Sequence, residues 1–578
     1  MVVPFPVGRR LRPTKRLDLV WLIFLVGIVA LAGRLFVLQV LERDELRARA
    51  EAQQARRLTA VTPRRPIVDR RGEVLAVDQP VADLYVHPVQ FQEPAARVAE
   101  KLSPLLGRPA PALVAQWGDQ PTGIRAAEDV PESVARQIRA LNLNGLELSP
   151  HYIRLYPQGR VGAEIVGFVN RDRQGQAGVE QTQAPQLKVP RPAVLIRQDA
   201  QAAPLSYDLP VGLLEQDETR LQLTLDLRLQ REAQEALSQA LGKFQAKRGA
   251  VLVMDAQDGS LLALVSEPAF DPNQFFKYPK EEHARFKNWA VLDLYEPGST
   301  FKPINVAIAL ETGRVQANTV FYDEGRITVG GWPIQNFDFS TAGGNGSIDV
   351  TRILERSSNV GMVHIMDRLP RKLYYEWLQR LGFGQNLETD LSPVSPTSLK
   401  SPGEFINYPI EAATASFGQG LSLTPLKLVQ LYAALANGGR LVYPHVVRGL
   451  VDFDGNLVKP PARPAPVAVF SPQTSRTVVD MLEKVVTQGT GKPARIPGYR
   501  VGGKTGTAQK AGATGGYIQG KITSFVAVFP IEKPRYVVLA VADEPQAGNA
   551  FGSTVTAPVV KTVLEALIAL EQIPPAQP

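Results

Sequence analysis

Three kinds of apolar patterning succeed one another along the chain. Leu17–Val40 is apolar at nearly every position, interrupted only by Asp18, Arg34 and Gln39. As a helix it would span roughly 36 Å at about 1.5 Å per residue, against a hydrocarbon core of about 30 Å, so the pattern predicts one membrane-crossing helix. Arg34 falls near its far end, where a long side chain can snorkel to the interface. Glu42–Arg57, rich in Arg, Glu and Ala, predicts a continuation of that helix away from the membrane. From about 58 to 215 the pattern changes to short strand-like runs (Val81–Val86, Glu164–Val169) mixed with helical ones (Ala95–Leu102, Ser133–Leu141), which predicts an α+β scaffold. The proline-bearing stretch Ala184–Pro204 predicts a loop-rich junction.

Beyond Arg220 the periodicities sharpen. Leu225–Leu241 has helical spacing and follows Thr224, a candidate N-cap. Gly249–Met254 and Leu261–Val265, separated by Asp258-Gly259, predict a β-hairpin. Arg500–Gln509, Ile522–Phe529 and Tyr536–Val541 predict three consecutive antiparallel strands. A closing helix over Ala557–Leu570 carries Val560, Val563, Leu564 and Leu567 on one side. Early and late strands around a central helical block fit an α/β or α+β sheet in which both ends of the domain pair. Residues 572–578 are expected to be a disordered tail.

The chain's 578 residues allow two to four domains, and 44% hydrophobic against 21% charged residues are the proportions of a folded protein. A formal charge of +8 suggests a nucleic-acid partner until it is located. Arg9, Arg10, Arg12, Lys15 and Arg16 lie in an acid-free start, and without them about +3 remains, so no nucleic-acid role is expected. Cations ahead of the apolar span predict a cytoplasmic N-terminus with the rest of the chain outside. A cleaved signal peptide is the rival reading, since Ala30-Leu31-Ala32 is a usable processing site. The apolar pattern continues past that site through Leu35, Phe36, Val37, Leu38, Val40 and Leu41, which favours an anchor. With no cysteine, zinc clusters and disulfide frameworks are excluded.

The chemistry concentrates in three short segments. In Glu296-Pro297-Gly298-Ser299-Thr300-Phe301-Lys302 a helix is expected to open at Ser299 and run to Gly313, and i, i+3 spacing puts Ser299 and Lys302 on one face. Pro303 is tolerated because it falls in the first turn. A serine hydroxyl needs a base. An ordinary lysine, with a pKa near 10.4, is neutral in about one molecule in a few thousand at pH 7. A depression of about 3 units, or roughly 4 kcal/mol, makes it one, and burial with a second cation such as Lys504 can supply that. Ser357-Ser358-Asn359 follows a helical stretch, Val350–Arg356. There a hydroxyl can relay a proton and an amide can hold a substrate carbonyl, although such a triplet is also a common turn or cap. Gly502-Gly503-Lys504-Thr505-Gly506-Thr507 lies in a predicted strand. Glycines weaken a strand and point to close approach of a ligand backbone, with Lys504, Thr505 and Thr507 offering a cation and hydroxyls to a carboxylate.

Taken in order, Ser-x-x-Lys, Ser-x-Asn and Lys-Thr-Gly-Thr resemble the motif set of penicillin-recognising serine enzymes, with Ser358 where Asp is found in some. Pro63–Gly72, Arg154-Leu155-Tyr156-Pro157, Gly178-Val179-Glu180, Thr224–Gln230, Gly418-Gln419-Gly420 with Thr424-Pro425, and Gly489-Thr490-Gly491 resemble further landmarks of class B penicillin-binding proteins. Arg65 stands where that family usually has glycine, and Trp289 where it commonly has arginine. Tyr295–Thr300 and Ser357–Asn359 resemble division-type members rather than elongation-type ones.

This resemblance implies an α/β fold. A penicillin-binding/β-lactamase-like transpeptidase domain, an antiparallel sheet flanked by helices, stands over residues 220–571. An elongated α+β pedestal covers 41–219, behind a single transmembrane helix (17–40) and a cytoplasmic basic tail (1–16). It implies a peptidoglycan D,D-transpeptidase of the cytoplasmic membrane, with Ser299 acylated by the penultimate D-alanine, Lys302 as base, and the Ser299 and Thr507 N–H groups as oxyanion hole. Ser357 would serve as proton relay, Asn359 would orient the peptide, and Lys504, Thr505, Gly506 and Thr507 would receive the terminal carboxylate. No metal or cofactor is implied. The implied partners are D-Ala-D-Ala stem peptides, β-lactams, a SEDS-family glycosyltransferase and other divisome membrane proteins. A β-lactam-hydrolysing or -sensing protein sharing the motifs, and a non-catalytic division scaffold, remain as alternatives.

Overall fold

The computed structural model describes residues 13–58, 62–189, 194–197, 218–391, 393–511, 516–546 and 548–576. It separates into two compact units, residues 1–62 with 190–216, and 63–189 with 217–578.

In the first unit a helix over Pro13–Phe36 continues through one wider turn, Val37–Leu41, and a second helix covers Arg43–Gln54. Leu17–Leu41 is long and apolar enough to cross a membrane. Trp21, Phe24 and Leu31 are 69%, 63% and 62% exposed, which suits a helix whose natural solvent is hydrocarbon rather than water. The helix expected as far as Arg57 stops at Gln54. Ala55–Leu58 is instead a strand, paired antiparallel with Val194–Arg197 out of the expected junction. The rest of the junction call, from 190 to 193 and 198 to 204, lies outside the described residues.

The second unit contains two sheets. In the seven-stranded one, Val74–Val86 is central and pairs with Ile67–Val68, Ile124–Pro131 and Leu146–Leu155. Arg220–Leu223 and Val447–Val451 extend this sheet, so a strand from the second half of the chain is built into the scaffold sheet. Helices Ala95–Leu106 and Glu132–Ala140 pack on it where helices were expected, burying Val98, Leu102 and Ile138. Glu164–Val169 is not the strand its composition suggested. Gly162 and Gly167, with φ of +73° and +76°, bracket a single helical turn, Ala163–Val166. That turn sets Glu164 inward, where its carboxylate accepts from Ser266 N and Gln230 Nε2 at 3.1 Å each. Beneath the sheet Glu180 accepts from Arg64 (2.7 Å) and Arg154 (2.6 Å), a buried ionic knot that removal of either sign would leave uncompensated.

The five-stranded sheet is wholly antiparallel: β1 (Arg248–Asp255), β2 (Leu261–Glu267), β3 (Gly502–Ala511), β4 (Tyr517–Phe529) and β5 (Tyr536–Asp543), in the order β3-β4-β5-β1-β2. The expected hairpin is β1–β2, and pairing of β5 with β1 closes the domain through both of its ends. Every residue of β5 is buried because successive side chains enter two different cores. Val537, Leu539 and Val541 face a helical block that includes α2 (Lys302–Glu311) and α5 (Pro425–Ala436). Val538 and Ala540 face α1 (Leu227–Phe244) and α6 (Thr556–Glu571). Asp226, not Thr224, caps α1, accepting from Arg228 N; the Thr224 hydroxyl donates to Leu261 O at 2.7 Å. The tail expected to be free is tied as far as Ala576: Tyr499 Oη donates to Ile573 O and Ala576 N to Gly498 O.

Candidate active site

Strand β3 is an edge, and the Pro297–Phe301 segment lies against it. Gly298 has φ +55°, and Gly418, with φ +82°, approaches so closely that a Cβ there would fall 2.1 Å from Gly298 O. Gly298 N donates back to Gly418 O at 2.9 Å, pinning the turn. The helix does not open at Ser299. Gly298–Phe301 is one tight 3-10 turn, and α2 begins at Lys302 with Pro303 harmless in its first turn. In such a turn side chains at i and i+3 eclipse, so Ser299 and Lys302 still share a face. Tyr432 Oη holds the turn from below, donating to Thr300 O at 2.6 Å.

Lys302 is fully buried. Its Nζ donates to Ser357 O (2.6 Å) and Asn359 Oδ1 (2.8 Å) and lies 3.3 Å from Ser357 Oγ. Burial, and after it the nearby Lys504 charge, push the Lys302 pKa well below the ordinary lysine value, against an opposing pull from Asp323. The Ser299 hydroxyl, half-exposed on the same turn, makes no hydrogen bond among the described residues. Its bond to a base is therefore not preformed, a common condition of unliganded sites.

Ser357 ends α3 (Val350–Arg356) in the left-handed region, φ +57°, which is costly for serine and aims its carbonyl at Lys302. Its Oγ accepts from Lys504 Nζ at 2.9 Å. Ser358 is the N-cap of α4 (Asn359–Met366), accepting from Gly361 N at 2.8 Å, so the cap reading of the triplet holds for its middle residue. Asn359 spends its amide on both sides, accepting from Lys302 and donating to Gln335 O at 3.0 Å.

Lys504 is fully buried in β3, and desolvation pushes it down to about 7. Besides Ser357 it donates to Thr505 O at 3.1 Å, while Thr505 Oγ1 meets Thr490 Oγ1 at 2.8 Å. Thr507 is exposed, and its hydroxyl accepts from Gly552 N at 3.2 Å. The β3 glycines have a different cause from the one expected. A Cβ on Gly502 would meet Ile531, one on Gly503 would meet Phe525, and one on Gly506 would fall 2.4 Å from Ser524 Oγ and 2.9 Å from Thr300 Cγ2. The protein's own packing, including the nucleophile turn, excludes side chains there. Trp289 is buried and donates its indole N–H to Gly249 O at 2.9 Å, with the Arg248 guanidinium over its ring.

Two residues that sequence reasoning passed over hold the triplet. Asn336 Oδ1 accepts from Asn359 N (2.8 Å), Ser358 Oγ (3.1 Å) and Val360 N (3.2 Å). Asp323, 1% exposed, fixes that amide by accepting both bonds of Asn336 Nδ2 at 2.9 and 3.0 Å. Neither stands in a recognisable motif. Glu296 is a third: its carboxylate accepts from Gly420 N (3.0 Å) and Tyr517 Oη (3.1 Å), and burial pushes its pKa up.

Residues 249–565 match the penicillin binding protein transpeptidase domain, and 59–189 match the penicillin-binding protein dimerisation domain. A peptidoglycan D,D-transpeptidase FtsI homolog of Mesostigma viride is 43% identical over 584 aligned positions, covering 98% of this chain and 97% of the relative. The peptidoglycan D,D-transpeptidase FtsI of Escherichia coli (strain K12) is 32% identical, with 95% and 91% covered. Penicillin binding protein 3 of Mycobacterium tuberculosis, solved in complex with aztreonam, superposes with a TM-score of 0.66 at 26% identity, over 89% of this chain and 97% of that one.

Proposed function

We propose, from the premise that this chain belongs to the class B penicillin-binding proteins of the FtsI-like division type, that Ser299 is its acylated nucleophile and Lys302 the base. The enzyme is a penicillin-binding peptidoglycan D,D-transpeptidase of septal wall synthesis, acting through an acyl-serine, and β-lactams are its inhibitors. One observation supports the residue roles above all others: Lys302, Ser357, Asn359 and Lys504 form one buried hydrogen-bonded network beside Ser299.

A neutral Lys302 has two N–H bonds, and its two short contacts, to Ser357 O and Asn359 Oδ1, use both. Its lone pair is then left for a hydroxyl proton. Ser299 Oγ attacks the carbonyl carbon of the penultimate D-alanine while that proton passes to Lys302 Nζ. The backbone N–H groups of Ser299 and Thr507 receive the developing oxyanion. As the tetrahedral centre collapses, the C–N bond to the terminal D-alanine breaks. Ser357, bonded to both lysines, gives the leaving amine its proton and is resupplied from Lys302. An amine of a second stem peptide then attacks the ester, the C–Oγ bond breaks and Ser299 recovers its proton. Thr505 and Thr507, on the β3 edge with Lys504 behind them and Gly506 between, receive the substrate's terminal carboxylate.

The division of the chain that goes with this reading is a basic tail (1–16) on the cytoplasmic side, a crossing at 17–40, an outer pedestal (41–219) and the catalytic domain (220–571). Val447–Val451 pairs across the last boundary into the pedestal sheet. A SEDS-family glycosyltransferase contacting the membrane helix and pedestal is the partner of this reading. Intact-mass analysis of the full chain after penicillin treatment tests it. One adduct, mapped to Ser299, absent in Ser299→Ala and persistent over hours, is expected; an adduct elsewhere overturns the assignment.

A further inference from the structure

A second concentration of positive charge shares no lining residue with the Ser299 site. A cavity of about 390 Å³ opens at the Asp255–Leu261 end of the five-stranded sheet, lined by Arg70, Arg448, Arg463 and Arg535 with His445 and Ser260. Two of the four guanidiniums are neutralised, Arg70 by Glu571 at 2.9 Å and Arg535 by Asp255 at 2.8 Å. Arg448 and Arg463 have no carboxylate within ion-pairing distance among the described residues. Arg448 donates to the Gln222 amide oxygen and Arg463 to Val447 O at 2.5 Å, which leaves most of each fork of donors unspent.

The neighbouring acids are already occupied. Asp258, on the cavity wall, accepts from Ser260 N at 2.8 Å and from the Ser260 hydroxyl. Asp390 is turned to the backbone, accepting from Val446 N and Val447 N, and burial pushes it up to about 6. His445 adds an independent sign of a missing ligand. It is 1% exposed, and its Nδ1 lies 2.9 Å from Tyr443 O, an acceptor that fixes the ring proton on that nitrogen. Nε2 then has no partner among the described residues although it belongs to a side chain that lines the cavity. Burial holds the imidazole below its ordinary pKa, helped by Arg463 and opposed by the Tyr443 carbonyl and Asp258, so the ring stays neutral while the cavity holds no anion.

We propose that this cavity is a binding site for a phosphate-class anion, gripped by the unpaired forks of Arg448 and Arg463 and by His445 Nε2. Planar guanidinium forks match phosphate oxygens bidentately, and His445 becomes a donor once an anion offsets the field of Arg463. Inorganic pyrophosphate is the probe, titrated calorimetrically into the full chain in zwitterionic micelles at low salt. Sub-millimolar binding is expected. It should weaken about tenfold, or about 1.4 kcal/mol, in Arg448→Gln and in Arg463→Gln, and vanish in the double variant. Penicillin acylation of Ser299 should proceed at the unmodified rate in all of them, which also reports that they fold. Glycerol phosphate and short-chain phosphatidylglycerol then separate a free ester from a lipid headgroup, and binding of either that depends on the two arginines sustains the proposal. No heat with the unmodified protein, or equal heat with the double variant, overturns it. Should the variants fail to fold, imidazole NMR of the unmodified protein decides: His445 must move toward its protonated shift on adding pyrophosphate, and an unmoved signal overturns the site.

Discussion

In water a lysine holds its proton to about pH 10.4, and Lys302 releases it earlier because no water reaches Nζ and a second lysine lies close by. The base is active only when neutral, so the acylation rate should rise with pH until the depressed Lys302 pKa is passed and then level off. Lys302→Ala removes the proton acceptor and is expected to slow acylation by about a thousandfold, within the range for loss of a general base. Stopped-flow reaction with a fluorescent penicillin measures this, and a near-normal rate would sink the assignment. Lys504→Met is the finer test. Lys504 is the second cause of the depression after burial, so its removal raises the Lys302 pKa and should displace the rising limb of the pH–rate profile to higher pH. A limb displaced to lower pH would contradict the electrostatic coupling between the two amines.

Elements were legible where one period dominated. The hairpin β1–β2, the run β3–β5, α3 and the closing helix α6 all stand where alternation or helical spacing put them. Failures fell where a local choice was decided by a distant partner. Composition made Glu164–Val169 strand-like, but two left-handed glycines turned it helical so that Glu164 could reach β2. Asp226 displaced Thr224 as the cap of α1 because the threonine hydroxyl was claimed by Leu261 O. The three chemical motifs were visible because each is contiguous. Asn336 and Asp323 were not, since 22 residues and two elements separate Asn336 from the Ser358 it holds. Asn336→Ala should leave three donors at the head of α4 without their acceptor. A loss of about 2–4 kcal/mol in stability is expected, with acylation slowed about tenfold to a hundredfold as Asn359 drifts from Lys302. Thermal unfolding together with acylation kinetics checks both; an unstable protein with an unaltered acylation rate would make Asn336 purely structural.

Over the whole molecule, buried titratable groups set a pH dependence of stability that no single motif reveals. Burial pushes Glu164 up to about 8 and Asp390 up to about 6. The native state therefore binds more protons there than the unfolded chain, and stability falls as pH climbs from about 4 through those values. The lysines act in the opposite sense. Lys427 and Lys504 are pushed down to about 7, and Lys302 lies well below its usual value, all chiefly by burial. Unfolding lets each of them pick up a proton, so stability rises with pH from about 7 toward the ordinary lysine value, by at most about 1.4 kcal/mol per pH unit for each. The two slopes meet in a trough just above neutrality. Lys427 is the group to change because it stands apart from the catalytic network, its Nζ donating to Gln430 Oε1 at 2.7 Å inside α5. Lys427→Met keeps the volume and removes the buried amine, at the smaller cost of leaving Gln430 Oε1 without a donor. The melting temperature of the full chain in detergent should fall from about pH 5 to about 7.5 and recover toward about 9. The variant should melt higher near pH 7.5 with a shallower alkaline rise. A melting temperature that falls steadily between about pH 7.5 and 9 in the unmodified chain would mean that these amines keep their protons in the fold, and the buried base at 302 would lose its electrostatic support along with them.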